Sequence, residues 1–394
     1  MKELGEFIDK IGNEYELGDP WKFSKKSIGV IVPIITKNQL RRDYITYPEV
    51  KDDVNVIDSG SIDKLKIDGI DKSVFIKGGT IFSGVGTQSR SIEHSIVLDP
   101  NSKIDIDVKC VHASHGIHHG SRFEYKGVSP RVVRSALSNP NSYGKQSSVW
   151  NSVSSYNLCS RNMTGHVGNR VESEIRNDDL VGVRNASKRL GSKIEDILNE
   201  VPVFENQIGA IIIGSNGIEG IEMFDHQDSW KAQYKDVIES YDDVFNDEQS
   251  LFSIDETKIN DFIIGFINKI KKSDSTNVGN NCFVIKFKGY IGEYVIHNNR
   301  IIHLFVMKYD EPTKNDQQSL QYQSFGHRPS GLDHIVGSLN NGPKTWSELF
   351  ESSKVSTSTL SSRLKELEKN GFVKRTLRKN GSKTKNVYKL NDIK

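Results

Sequence analysis

Cysteine is scarce in this chain: 394 residues carry three, Cys110, Cys159 and Cys282. They are too few and too scattered for the disulfide framework of a small secreted domain, which predicts a reducing compartment. Long apolar runs are missing as well. No stretch supplies the roughly 20 apolar residues of a membrane-spanning helix, and the opening MKELGEFIDKIGNEYELG lacks the apolar core of a secretion signal. The expectation is a cytoplasmic protein without a membrane partner. Neither a G-x-G-x-x-G nor a Walker pattern occurs, and no Ser-His-Asp or Cys-His arrangement can be defined from spacing. No residue is therefore assigned a catalytic role.

Charge is nearly balanced over the whole chain, at +2, but its distribution is not even. From Gly331 onward there are 13 Lys and Arg against 6 Asp and Glu, which leaves the first 330 residues net acidic. A basic module on an acidic body is the electrostatic footprint of a polyanionic partner.

The same module has the pattern of a winged helix-turn-helix. A helix from about Leu332 to Leu339 stops at Asn340-Asn341-Gly342-Pro343. Thr345, with Glu348 in capping-box spacing, opens a second helix that buries Trp346, Leu349 and Phe350. Ser356 begins a third, whose Leu360, Leu364 and Leu367 recur on one face until Asn370-Gly371. The opposite face and its neighbours, Thr357, Ser358, Ser361, Ser362, Arg363 and Lys365, are the candidate contacts to base edges and phosphates of double-stranded DNA. A hairpin follows with its turn at Asn380-Gly381. Its Lys374, Arg375, Arg378, Lys379, Lys383 and Lys385 are the candidate wing contacts. STLSSRLKELEKNGFVKR resembles the third helix of winged-helix transcription regulators of the MarR and ArsR type. That resemblance implies a sequence-specific DNA-binding regulator, and one winged helix buries so little surface that a homodimer on two half-sites is expected.

The body reads differently. Leu4, Phe7, Ile8 and Ile11 make a short amphipathic helix over residues 1–20. Successive short strands then run from Lys64 to Cys110, separated by glycine turns; Ile104, Ile106 and Val108 alternate with Lys103, Asp105 and Asp107. Helices are expected from Pro130, around Trp150, over Lys193–Leu198, over Gln227–Phe245 and over Glu256–Lys271, with a mobile loop from Leu158 to Ser187. Gln207–Phe224 is a hairpin with its turn at Ser215-Asn216-Gly217, and CFVIKFKG, GEYVIHNN and RIIHLFVMK form a meander. The fold class is α+β: a mostly antiparallel, β-rich body with helices over residues 21–309, a polar linker over 310–330, and the winged helix over 331–394. The abundance of Lys, Ile, Asn and Asp suggests a prokaryote.

Three clusters carry candidate chemistry. Lys77 to Arg90 holds four glycines with Thr80, Ser83, Thr87 and Arg90, groups able to meet a phosphate, although glycines at strand ends are ordinarily turns. Cys110, His112, His115 and His118 are a candidate zinc set, against a polar loop at a sheet edge. Glu219, Glu222, Asp225, His226 and Asp228 could serve acid–base work, against outward hairpin residues followed by first-turn acids.

The run IKGGTIFSGVGTQSRSIEHSIVLDPNSKIDIDVKCVHA, the hairpin QIGAIIIGSNGIEGIEMFD with its following DSW, and IGEYVIHNNRIIHL together resemble the ADP-ribosylglycohydrolase-and-rhodanese-phosphatase-associated domain family. The resemblance runs from Trp21 to Tyr309. It implies an α+β domain linked to ADP-ribose and phosphoester chemistry, with a small-molecule or phosphorylated effector and with Gln88 and Arg90 as its ligand-binding residues. Where acidic residues are expected ahead of Gln88 and Arg90, this chain has Lys77-Gly78-Gly79-Thr80. That departure favours binding over catalysis.

Overall fold

The computed structural model describes residues 2–22, 29–84, 87–112, 121–140, 145–163, 179–189, 193–214, 217–246, 256–309, 335, 338–339, 342–353, 357–369, 373–380 and 383–390. For some of these, in the longer helices and the C-terminal hairpin, only the backbone is described. The chain separates into two compact units, Met1–Ser142 with Val149–Asp310, and Tyr143–Ser148 with Glu311–Lys394. Among the described residues, no helix is long and apolar enough to cross a membrane.

The body is organised on a hairpin that is buried on both faces. Its strands, Gln207–Gly214 and Gly217–Phe224, lie near the middle of a sheet of nine described strands. Val30–Thr36 flanks them on one side, and on the other the meander Arg300–Lys308, Tyr290–His297 and Cys282–Phe287. Both faces are covered, which is why the strand reads as a near-continuous apolar run. Ile208, Ile211 and Ile213 pack with the helices Lys2–Asp9 and Glu256–Lys271 through Leu4, Phe7, Ile8, Ile263 and Phe266. Ala210 and Ile212 pack with Trp230, Val237 and Ile238 of the helix Gln227–Glu239. Full burial of each such aliphatic side chain contributes about 1.5–3 kcal/mol.

A second sheet orders Phe123–Val128, Thr80–Gly84, Arg90–Ile92, Lys103–Cys110, Lys64–Asp68 and Asn55–Asp58. In Lys103–Cys110, Ile106 and Val108 are buried while Asp105 and Asp107 face water. One parallel pair, Ile45–Thr46 on Val74–Ile76, belongs to a small third sheet. The architecture is α+β and mainly antiparallel.

Two expectations need correction. The helix from Gln227 ends at Glu239 and a separate helix covers Asp242–Asn246. The Ser240 carbonyl accepts the Arg131 N–H at 2.7 Å, which removes it from the helical ladder. The stretch expected as a loop from Leu158 is in part helical, since Lys145–Met163 and Leu180–Arg189 are helices. Its few apolar residues were at helical spacing after all: Leu180, Val183 and Ala186 are buried.

The C-terminal unit has its own core of Ile335, Leu339, Leu349, Leu360, Leu364, Leu367, Val373 and Tyr388. Thr345 and Glu348 cap Trp346–Ser353 reciprocally, with Thr345 N–H to Glu348 Oε2 at 2.6 Å and Glu348 N–H to Thr345 Oγ1 at 3.3 Å. Helix Thr357–Lys369 leads to the strands Val373–Asn380 and Lys383–Leu390, paired from Val373 with Leu390 to Asn380 with Lys383. Lys344–Thr345 adds a third strand. Phe350, expected inside, is partly exposed and stacks on Trp346 with ring centroids 5.5 Å apart.

Candidate functional site

The winged unit sorts its residues as a nucleic-acid reader must. Leu360, Leu364 and Leu367 hold one face of Thr357–Lys369 in the core, while Thr357, Ser362 and Lys365 are exposed and Ser361 is half-buried. Lys374 and Arg375 are exposed on the first wing strand, with Arg375 Nε 3.4 Å from Glu368 Oε1. In the hairpin register Lys374 stands opposite Lys389, and both are exposed. Like charges directly opposite are unfavourable unless an anion is supplied. The side chains of Ser358, Arg363, Arg378, Lys379, Lys383 and Lys385 lie outside the described residues.

The body contains a polar centre that its sequence hides. Glu222, Phe305 and Glu293 are opposite one another on three neighbouring strands, so they share a face of the nine-stranded sheet. Glu222, 1 % exposed, receives Arg134 Nη1 at 2.8 Å and His303 Nε2 at 3.1 Å, and Lys77 Nζ lies 2.9 Å from its Oε1 as an ion pair. The Arg134 guanidinium also lies 4.2 Å over the Phe305 ring. Burial alone would protonate Glu222, yet Arg134, Lys77 and His303 hold it well below the usual carboxylate range. Burial, reinforced by Arg134, pushes Lys77 down against the pull of Glu222. His303 is pushed down by burial, so it faces the carboxylate as a neutral donor through Nε2.

Glu293 is the other anion. It is fully buried and bound by His94 Nδ1 at 2.7 Å, by the Ser95 N–H at 3.1 Å and by Ser95 Oγ at 3.2 Å. Burial opposes ionisation, but His94, Ser95 and Ser138 bring the carboxyl down to about 2. The loop Lys77-Gly78-Gly79 wraps this centre. A Cβ on Gly78 would stand 2.9 Å from Glu293 Oε2, and Gly79 has φ +88° with Arg134 against it. Only glycine fits both places. His94 is partly exposed and stands between two carboxylates, with Nδ1 2.7 Å from the buried Glu293 Oε1 and Nε2 3.5 Å from Glu93 Oε1, which orient its ring.

A third cluster surrounds Asp225. Ser229 Oγ donates to Tyr44 Oη at 3.0 Å, and Tyr44 donates to Asp225 Oδ1 at 2.6 Å. Arg300 Nε is 3.0 Å from Asp225 Oδ2, and Arg300 also pairs with Asp43. Burial raises the Asp225 carboxyl to about 6, although Tyr44 and Arg300 oppose the shift. Arg42 is held by Glu49 through two contacts of 2.9 and 2.8 Å.

The expected site residues fall as follows. Arg90 is fully buried, with Asp58 at 3.0 Å and the carbonyls of Ser61 and Lys64 at 3.0 and 2.9 Å, and its guanidinium stacks on Phe123. Its two Nη atoms are committed within the fold, so an incoming phosphate meets no exposed guanidinium there. Gln88 is also buried and accepts the Cys110 thiol at 2.8 Å. Burial pushes Cys110 up to about 11, far from a thiolate ligand at neutral pH. His112 Nδ1 lies 3.7 Å from Asp179, and His115 and His118 are outside the described residues. Among the described residues, no three His, Cys, Asp or Glu side chains gather as a metal ion would need. Glu219, Glu222 and Asp225, expected to point outward from the hairpin, are buried. Covering both faces of the sheet leaves its central strands no outward side.

Lys77, Arg134, His303, Glu293 and His94 carried no sequence signal of a site beyond the unusual Lys77-Gly78-Gly79. An acid such as Glu293, between Gly292 and Tyr294 in a strand, gives no parity from which its face could be read.

Comparison with known families agrees with both halves of this description. The family model described as ARG and Rhodanese-Phosphatase-superfamily-associated Protein domain matches residues 14–307, and the MarR family model matches residues 339–381. No curated protein and no solved structure gives a match.

Proposed function

The chain belongs to the ARG and Rhodanese-Phosphatase-superfamily-associated Protein domain family, and from that premise we propose a sequence-specific DNA-binding transcription regulator whose family body senses a ligand or drives oligomerisation. One observation carries the reading. A helix with a buried leucine face presents Thr357, Ser362 and Lys365 to solvent beside a hairpin with exposed Lys374 and Arg375. Such a helix enters a major groove while the wing cations meet flanking phosphates. The working division is an N-terminal segment over residues 1–20, in which the expected helix is confined to Lys2–Asp9 and Tyr15–Leu17 is a strand, a sensory or oligomerisation domain over 21–309, a linker over 310–330 and a DNA-binding domain over 331–394. The functional species is a homodimer in the cytoplasm, associated with the nucleoid and bound to two half-sites.

Selection of bound duplexes from a random pool by the full chain tests this. A recovered two-fold symmetric site supports it; recovery of unrelated sequences sinks sequence-specific regulation.

A second reading makes the body an enzyme on ADP-ribose-related or phosphorylated substrates, with the winged helix localising it. It is favoured by His94, a partly exposed imidazole oriented by a buried, ionised carboxylate. Turnover of ADP-ribose derivatives or phosphoesters that disappears in His94→Ala but survives in Arg42→Ala supports it. No turnover by the wild-type chain removes it.

A further inference from the structure

The helix Glu256–Lys271 buries Ile259, Ile263, Phe266 and Ile270 against the nine-stranded sheet. Its outer side is not that of a solvated helix. Phe262 is 55 % exposed and Ile264 57 % exposed, on either flank of the exposed Gly265. Glycine is a poor helix former, and a Cβ placed on Gly265 would meet nothing within 4 Å. Packing inside the chain therefore does not call for the missing side chain. A close approach from outside does.

The charges around Gly265 say what approaches. Asp261 and Lys269 stand four residues before it and four after it, on the same outward stripe. Both are exposed and, unlike Lys271, which pairs with Asp9, neither has an ion-pair partner among the described residues. An acid, a glycine and a base at equal spacing complement themselves in one arrangement, antiparallel about a two-fold axis at the glycine. A parallel pairing would set acid against acid.

We propose that the outer side of Glu256–Lys271 is the surface through which two copies of this chain associate, their helices crossing antiparallel at Gly265. Each Asp261 then meets Lys269 of the other copy, and each Phe262 lies across the other copy's Gly265, where no side chain stands. This surface deepens the homodimer reading, on which it rests, by giving the dimer its face. One helix pair is small beside the roughly 1,600 Å² of a standard interface. The dimer is therefore reversible, and it gains strength where two half-sites hold both copies.

Sedimentation equilibrium of the full chain without DNA, over a concentration series, tests this. Wild type should dimerise. Phe262→Ala should weaken the dimer by about thirtyfold, as for a buried aromatic anchor. Gly265→Leu should abolish it without lowering the thermal midpoint, because leucine is the better helix former. Asp261→Lys and Lys269→Asp each set two like-charge pairs across the axis, and each should weaken the dimer by about tenfold at low salt. Asp261→Lys combined with Lys269→Asp should restore it. A mixture of the two single variants should form the heterodimer in preference to either homodimer.

A wild-type chain that is monomeric at every concentration ends this surface and the homodimer reading together. A wild-type dimer that survives both Phe262→Ala and Gly265→Leu overturns this surface alone and leaves the homodimer reading standing. So do charge variants that neither weaken the dimer singly nor recover it in combination. Binding of a monomeric chain to vesicles containing anionic lipid, lost in Phe262→Ala, also overturns the proposal and gives the face to a membrane.

Discussion

Glu222 is held by two cations and a histidine at a place where water does not reach. Removing it leaves Lys77 and Arg134 buried without their shared anion, the situation in which a broken buried pair costs about 3–5 kcal/mol. Glu222→Ala should therefore lower the body's stability by that amount in urea titration, and adding Lys77→Met should recover part of the loss. Recovery of nothing would mean that Lys77 was not strained by the loss of Glu222. Asp225 gives a pH-dependent counterpart. Its folded carboxyl titrates near 6 against an ordinary 3.8, so the folded state binds more protons between those values. Stability from this group is greatest below pH 4 and falls as pH rises to about 6, by about 3 kcal/mol in all. Asp225→Asn removes the dependence. The stability of wild type relative to Asp225→Asn should decline across that window and stay flat above it, and a flat difference throughout would refute the assignment.

At the scale of elements, the caps and leucine spacing of the C-terminal helices carry their own stability. Thr345→Ala removes one side of a reciprocal cap and should cost about 1 kcal/mol. Leu364→Ala opens the unit's core and should cost about 2–5 kcal/mol. Hydrogen exchange of amides in Trp346–Ser353 and Thr357–Lys369 reads both, and unchanged protection in Leu364→Ala would contradict the packing described. These elements were legible because each was specified locally: Thr345 and Glu348 sit three residues apart, and Leu360, Leu364 and Leu367 follow one face. The hairpin Gln207–Phe224 was legible for the same reason. The break at Ser240 was not, because it depends on the Arg131 amide, more than a hundred residues away. The polar centre was hidden for a related reason. Glu222, Glu293 and Lys77 are distant in sequence, and only strand register brings the two acids onto one face beneath the Lys77-Gly78-Gly79 loop. Arg90 shows the converse: a residue chosen for its glycine-rich neighbourhood is occupied by Asp58, from a strand that local pattern cannot pair with it.

At the scale of the whole molecule, a family body of buried ion pairs is joined in one chain to a basic winged helix. Each unit has its own hydrophobic core. The basic excess lies in the C-terminal residues, while the first 330 residues are net acidic, so the winged unit supplies the charge that attracts a polyanion. The central claim is that this surface binds duplex DNA through its helix and wing. The most direct measurement is the salt dependence of full-chain binding to duplex DNA, for wild type and for Lys365→Ala combined with Lys374→Ala and Arg375→Ala. The account predicts a linear fall of log K with log salt for wild type and a slope shallower by about 3 in the triple variant. Binding that ignores salt, or a triple variant with the wild-type slope and affinity, would contradict it.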